Sequence, residues 1–247
     1  MAIRYYAEDI SKVPYKLLRG ALAKQLGIVA GPVAFAFRLA GRFGLRLPPN
    51  CGVGFPGTDV EVDPSELPAA AVAKWAPLLE QLADLGFEPL RVRKSRVVGM
   101  KLQYAATLYQ PRHGCVAILE WMRMQGAEGL EENTPLEFDS YCERGPDVMT
   151  GMVRREDVPL GAMFQLADVE IENHDNRGPL AERLARHRER CRGRDVIPLH
   201  ADNVGPLIDD RANRRFGALM ESGLLRELSE QEVERLRSID TTGLLAE

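Results

Sequence analysis

An α+β fold is the class this chain calls for, and three features carry that expectation. Apolar residues recur at helical spacing through the first 85 positions. Apolar and polar residues then alternate at strand spacing between positions 90 and 153. Helical spacing, with cap signals, returns after Gly178. The expected architecture is an antiparallel β-meander of about five strands packed with N-terminal and C-terminal helices. Two units are expected along the chain: a basic amphipathic helical arm over 1–49 and an α+β domain over 50–247, the arm and domain also being readable as one continuous domain.

In the arm, Leu18, Leu22, Leu26 and Val29 recur at helical spacing, with Lys16, Arg19 and Lys24 outside that ridge. A second helix is expected from Pro32, whose missing N–H costs nothing in a first turn. On it Phe35, Leu39, Phe43 and Leu47 form one apolar row, and Arg38, Arg42 and Arg46 form another roughly 60° around the cylinder. Aliphatic arginine stems can lie along such an apolar row while the guanidinium heads stay in water, the layout of an interfacial helix. Gly41 and Gly44 weaken this helix, and Pro48-Pro49 ends it.

Residues 50–66 are rich in turn formers and read as a loop; their glycines lack the strand-to-helix setting of a phosphate cradle. Val72, Trp75, Leu78, Leu79, Leu82 and Leu85 predict a helix closed by Gly86, with Pro77 expected to kink or divide it. Strand alternation follows in Leu90 and Val92, and, after a basic turn at 94–96, in Met100, Leu102, Tyr104 and Leu108. Cys115 to Met124 is apolar on both faces, as a central strand would be. Leu136, Phe138 and Ser140 share a face, Val148 to Val153 continues the sheet, and Phe164 to Ile171 is expected to add an edge strand. Gly178-Pro179 opens a helix carrying Leu180, Leu184 and Cys191; Asp209 to Gly223 holds another; Ser229 and Glu232 form a capping box before a last one.

Charge is distributed unevenly. Residues 1–50 carry eight basic and two acidic side chains, whereas the other 197 residues carry 24 and 34. A basic arm is drawn to anionic surfaces that the acidic body would repel. The overall charge of −4 disfavours nucleic acid as the partner. Four cysteines, Cys51, Cys115, Cys142 and Cys191, are too scattered for a zinc or disulfide framework and fit reduced thiols in a cytoplasmic protein. No secretory signal is apparent, and the longest uncharged run, Gln25 to Phe37, falls short of the roughly 20 residues of a membrane span. The expected location is cytoplasmic, with docking at the inner face of the membrane.

Chemistry is sparse. Glu172, His174 and Asp175 are the densest titratable cluster, and a carboxylate beside an imidazole can orient a general base, although no nucleophile or oxyanion motif accompanies them. His200 and Asp202 form a second pair of the same kind. His187 lies among Arg186, Arg188 and Arg190 and reads as part of a solvated helix face, where its positive neighbours disfavour its charged form. Cys115 and Cys142 read as packing residues. Arg91, Arg93, Lys94, Arg96 and Lys101 read as a solvated basic hairpin. The histidine spacings form no metal motif, and no cofactor is indicated.

Phe138-Asp-Ser-Tyr141, Gly145, Thr150 and Leu184-x-x-His187 together resemble a strand pair and following helix in a group of uncharacterised bacterial proteins. The resemblance runs over roughly residues 136–190, about a quarter of the chain, with Arg144-Gly145 in place of the group's usual Asp-Gly turn. Some members carry membrane-spanning segments, so the resemblance implies a membrane-proximal role; it implies no catalytic residues. The function expected is that of a non-catalytic ligand- or partner-binding protein. Phe35, Arg38, Leu39, Arg42, Phe43 and Arg46 would meet an anionic membrane surface or an acidic protein partner. Two alternatives stay open: an enzyme or small-ligand sensor with a pocket between the sheet and the C-terminal helices, using Glu172, His174 and Asp175, and a subunit of an obligate homo-oligomer. Ordinary packing of the arm on its own domain would use the same residues.

Overall fold

A computed structural model describes residues 3–46, 48–126, 129–153 and 168–244. Leu47 and the start of the edge strand expected from Phe164 lie outside the described residues. Among the described residues six α-helices and twelve strands form two sheets, so the α+β class holds, but the sheet is not the single five-stranded meander expected.

The chain opens with strand β1 (Arg4–Glu8), then a helical hairpin of α1 (Tyr15–Leu26) and α2 (Ala30–Arg42). Strands β2 (Cys51–Phe55) and β3 (Asp59–Glu61) precede α3 (Ala69–Asp84). The series β4 (Glu88–Ser95), β5 (Val97–Gly99), β6 (Lys101–Gln110), β7 (Cys115–Gly126), β8 (Gly129–Asn133), β9 (Leu136–Ser140) and β10 (Asp147–Val153) follows. After β11 (Val169–Asp175) come α4 (Leu180–Cys191), α5 (Ala201–Glu221), β12 (Leu225–Glu227) and α6 (Glu230–Arg237).

The larger sheet has the order β11-β10-β9-β7-β6-β4-β3, with β8 hydrogen-bonded to β7. Its neighbours are antiparallel except β10 and β11, which run parallel from the Asp147–Val169 pair to the Val153–Asp175 pair. The five strands expected are all present within it, with β3 and β11 at the edges. The smaller sheet, β12-β1-β2-β5, is closed by the two ends of the chain: Tyr6 pairs with both Val53 and Glu227.

Residues 51–55 therefore form a strand rather than a loop. Turn formers misled the reading because Gly52 serves close approach: a Cβ there would meet Leu228 Cδ1 at 2.6 Å. The basic segment at 94–96 is likewise no simple turn, since the chain detours through β5 into the smaller sheet before returning as β6. Pro77 does not divide α3, which runs unbroken, and the amide of Gln81 donates to the Pro77 carbonyl at 3.0 Å. The α5 helix starts eight residues before the Asp209 expected, because the Asn203 side chain accepts from the His200 backbone N–H at 2.8 Å and caps it.

The β7 strand is buried on both faces, with Val116 and Ala117 inaccessible to solvent. On one face Trp75 and Leu82 of α3 and Leu180 and Leu184 of α4 pack against Leu119, Trp121, Leu136 and Phe138. On the other, Val204 and Ile208 of α5 cover Tyr109, Val116 and Tyr141. Phe216 joins α5 to the smaller sheet, stacking on Phe55 at 4.5 Å and meeting Tyr6 edge-on at 5.4 Å. The opposite face of that sheet, Tyr5 and Ala7, packs on Val233 and Leu236 of α6.

Candidate functional site

Three places bring chemistry-bearing or interaction-bearing residues together. The first is the α1–α2 hairpin. Val13, Leu18 and Ala34 are buried between its arms, with Leu17, Leu22, Phe37 and Leu224 around them. Gly41 lets α2 lie directly on the turn at residues 10–12, since a Cβ there would collide with the Ser11 side chain. This packing uses the small and inward residues of α2 and leaves its other face uncovered. Phe35 is 61% exposed, Phe43 76% and Ile28, at the hairpin tip, 98%, with Leu39 and Leu45 exposed beside them. Arg42 and Arg46 are exposed and Arg38 is half-buried; Arg46 Nε lies 3.6 Å from Asp9 Oδ2. Between Asp9 and Asp59 the chain carries seven basic residues and no acidic one.

The second place is the meeting of β11 with α4. Strand alternation puts Glu172 opposite Thr150 and His174 opposite Met152 on the α4 side, while Asp175, opposite Val153, points the other way. The structure thus brings Glu172 and His174 together, with Nε2 2.9 Å from Oε1, and leaves Asp175 outside the pair, accepting from the Arg177 backbone N–H at 3.0 Å. Glu172 is further neutralised by Arg186 and by Arg190, whose Nε is 3.3 Å away. Burial lowers the His174 pKa, with Glu172 opposing. His200 and Asp202 form no site: His200 is the α5 cap and Asp202 lies exposed in its first turn.

His187 corrects the expectation of a solvated face, for it is fully buried. Leu180, Leu184 and His187 lie on one side of α4, so the arginines around His187 leave by other sides. Its Nε2 lies 3.0 Å from Ser140 Oγ and its Nδ1 2.9 Å from Thr150 Oγ1, while Arg190 donates to Thr150 Oγ1 at 2.6 Å. Burial, then the charges of Arg190 and Arg188, lower the imidazole pKa to about 3. A neutral ring with both nitrogens engaged and no solvent access ties α4 to β9 and β10. Of the residues that carry the resemblance to the uncharacterised group, Phe138, Ser140, Thr150, Leu184 and His187 are buried at this junction, whereas Asp139 and Tyr141 face α5 and Gly145 is exposed.

The third place lies between the sheet and a C-terminal helix, where one alternative reading of the sequence put a pocket, but none of Glu172, His174 and Asp175 lines it and its own residues were missed. Under the C-terminal half of α5, over β7, β9, β10 and β11, lies a cavity of about 390 Å³. Its walls are mainly apolar, including Met122, Met149, Ile171 and Leu219, and Glu120, Glu137 and Arg215 reach it. Burial pushes the Glu137 carboxyl well above the ordinary carboxylate range, Asp139 and Glu120 adding to the shift and Arg215 opposing it. Burial also raises Glu120, opposed by Lys101 and by the Gln103 amide, which donates to it at 2.8 Å. The signal lay in Glu120 interrupting an otherwise apolar central strand, and in Glu137 and Asp139 alternating on the next one.

The basic residues Arg91 and Arg93 are not a solvated hairpin either. Both donate to Asp209 Oδ1, at 2.7 Å each, and fasten β4 to α5. Cys115 and Cys142 are buried, as packing residues are, and burial raises both thiols. Among the described residues no group of three or more His, Cys, Asp or Glu side chains could hold a metal ion, and no helix is long and apolar enough to cross a membrane. Compared with protein-family models, curated proteins and solved structures, the chain matches none of them.

Proposed function

We propose that this chain is a non-catalytic binding protein that docks on an anionic membrane surface through its α1–α2 hairpin. The observation that carries the reading is the uncovered face of α2. Exposed Phe35 and Leu39 on α2 and Phe43 at its C-cap run beside Arg38 and Arg42, on a stretch of chain without a single carboxylate; the helix ends at Arg42, short of the Arg46 and Leu47 expected on it. Scattered exposed apolar residues are ordinary on a soluble protein; a contiguous aromatic row flanked by cations is the chemistry of an interfacial helix. Arg38, Arg42 and Arg46 supply attraction worth about 1 kcal/mol per charge near an anionic leaflet. The aromatic rings add burial at roughly 25 cal/mol per Å² of apolar surface. The acidic body, repelled by the same leaflet, is held facing away from it.

Vesicle co-flotation of the full chain tests this. Binding to phosphatidylserine-containing vesicles, weakened by salt and absent from neutral vesicles, is the expected result. R38E/R42E/R46E should abolish it, and because Arg46 lies against the buried Asp9 the folding of the variant is checked by thermal unfolding. Unchanged flotation of that variant would exclude the account. A salt-insensitive dimer in light scattering, lost in F35S/F43S, would instead mean that a second copy covers the face.

A further inference from the structure

The cavity under α5 lies apart from the hairpin surface. Four carboxyls lie on this part of the sheet: Glu120 on β7, Glu137 and Asp139 on β9, and Asp147 on β10. Two cations from α5 meet them. Arg215 Nη1 reaches Asp139 Oδ2 at 3.2 Å, and Arg211 Nε lies 3.7 Å from Asp147 Oδ2. Arg215 itself lines the cavity: its Nη1 is held by Asp139, its Nε and Nη2 have no hydrogen-bond partner, and its charge acts on Glu137 as well. Lys101 and Asp59 act on Glu120 with opposite signs, and Glu120 already holds the Gln103 amide. Glu137, in contrast, lines the cavity with no hydrogen-bond or ion-pair partner among the described residues. The cavity thus combines apolar walls with one carboxyl that has no direct partner, a second carboxyl beside it, and the Arg215 guanidinium that Asp139 pairs.

We propose that this cavity binds an apolar ligand carrying one basic nitrogen, whose ammonium group takes its counter-charge from Glu137 and Glu120 while its hydrocarbon body lies against Met122, Met149 and Leu219. A carboxyl facing an apolar cavity holds its proton more tightly than one in water, and an ammonium ion placed against it favours the carboxylate. An uncharged ligand of the same length gains the apolar contacts alone. An anionic one meets two carboxyls beside a guanidinium whose charge Asp139 already offsets. A volume of about 390 Å³ falls within the range of small-molecule pockets.

Isothermal titration of the full chain with decylamine, decanol and decanoate, each below its aggregation concentration, tests the assignment. Decylamine should bind at least about tenfold more tightly than decanol, and decanoate more weakly than either. E137Q should lose about tenfold in decylamine affinity, with decanol unchanged. L219W, which fills the cavity and whose folding is checked by thermal unfolding, should lose decylamine and decanol alike. R38E/R42E/R46E should bind decylamine as the parent does, which separates this site from the hairpin. Equal affinity for amine and alcohol, an E137Q variant with parental amine binding, or full binding by L219W would each overturn the proposal.

Discussion

Arg215 on α5 and Asp139 on β9 form an ion pair at 3.2 Å in which the carboxylate side chain is 1% exposed. Burial pushes the Asp139 carboxyl up and Arg215 holds it down, while Asp139 in turn strengthens the hold of Arg215 on its own proton. Asp139 Oδ1 has no partner, so the guanidinium is the principal compensation for this carboxylate. Arg215→Met should therefore cost about 3 kcal/mol of stability, read as a lower urea midpoint with an unchanged slope. Adding Asp139→Leu to the same chain should recover most of that loss, since the double replacement leaves no buried charge unpaired.

The buried His187 makes stability depend on pH with a definite sign. Its pKa falls from the ordinary 6.5 to about 3 in the folded protein. Above the ordinary value both states are neutral and the contribution is complete. As pH falls from there toward the folded value, the unfolded chain takes up a proton that the native state refuses, and stability drops by a few kcal/mol. Glu137 works in the opposite direction: its folded pKa lies above the ordinary 4.5, so its contribution is complete below that value and is lost as pH rises from there through the folded pKa. Comparing His187→Gln with the parent in urea titrations at several pH values isolates the histidine: the variant should be less stable near neutrality and lose less on acidification.

At the C-terminal end, Ser229 and Glu232 form the capping box of α6, and Arg226 on β12 grips Glu232 through two contacts of 2.6 and 2.9 Å. The Arg226 bond is the largest cause that lowers the Glu232 pKa, from 4.5 to about 2. This contribution is present above the ordinary carboxylate pKa and is lost as pH falls through the folded one. Ser229→Ala should cost about 1 kcal/mol and Glu232→Gln somewhat more, both read by thermal unfolding. Amide exchange should quicken first in α6, which is eight residues long and depends on its cap.

These interactions show where the sequence was transparent and where it was not. Capping chemistry is local, so Ser229–Glu232 announced α6, and periodicity announced α3 and α4. Gly52 belongs to a strand only because Leu228, far along the chain, needs its missing side chain. His187 reads as one polar residue in an arginine-rich run until the spacing from Leu180 and Leu184 is given more weight than composition. Of the titratable cluster Glu172, His174 and Asp175, strand alternation alone separates the third member from the first two. Glu137 and Glu120 meet through strand pairing across β7 and β9, a relationship that adjacency in sequence does not contain.

The place of β1 carries a consequence for any shortened chain. It is the strand between β12 and β2 in the smaller sheet, and Leu228 N–H donates to the Tyr5 carbonyl at 2.8 Å. A chain starting at Asn50 lacks this strand and leaves two unpaired edges and the Tyr6 side of Phe216 exposed. It should unfold at lower temperature and precipitate more readily than the full chain, in a scan followed by light scattering. Point substitutions on the exposed face of α2 should leave stability within about 0.5 kcal/mol of the parent.

Membrane docking through the hairpin is tested most directly at Phe43. Both native tryptophans, Trp75 and Trp121, are buried at 1% and 0% exposure, so neither competes as a reporter of lipid contact. Phe43→Trp places an indole on the uncovered face. With phosphatidylserine-containing vesicles its emission should shift to the blue and be quenched by brominated acyl chains, and high salt should reverse both effects. An indole that stays solvent-exposed and unquenched, on vesicles that the protein demonstrably binds, would contradict docking through this face.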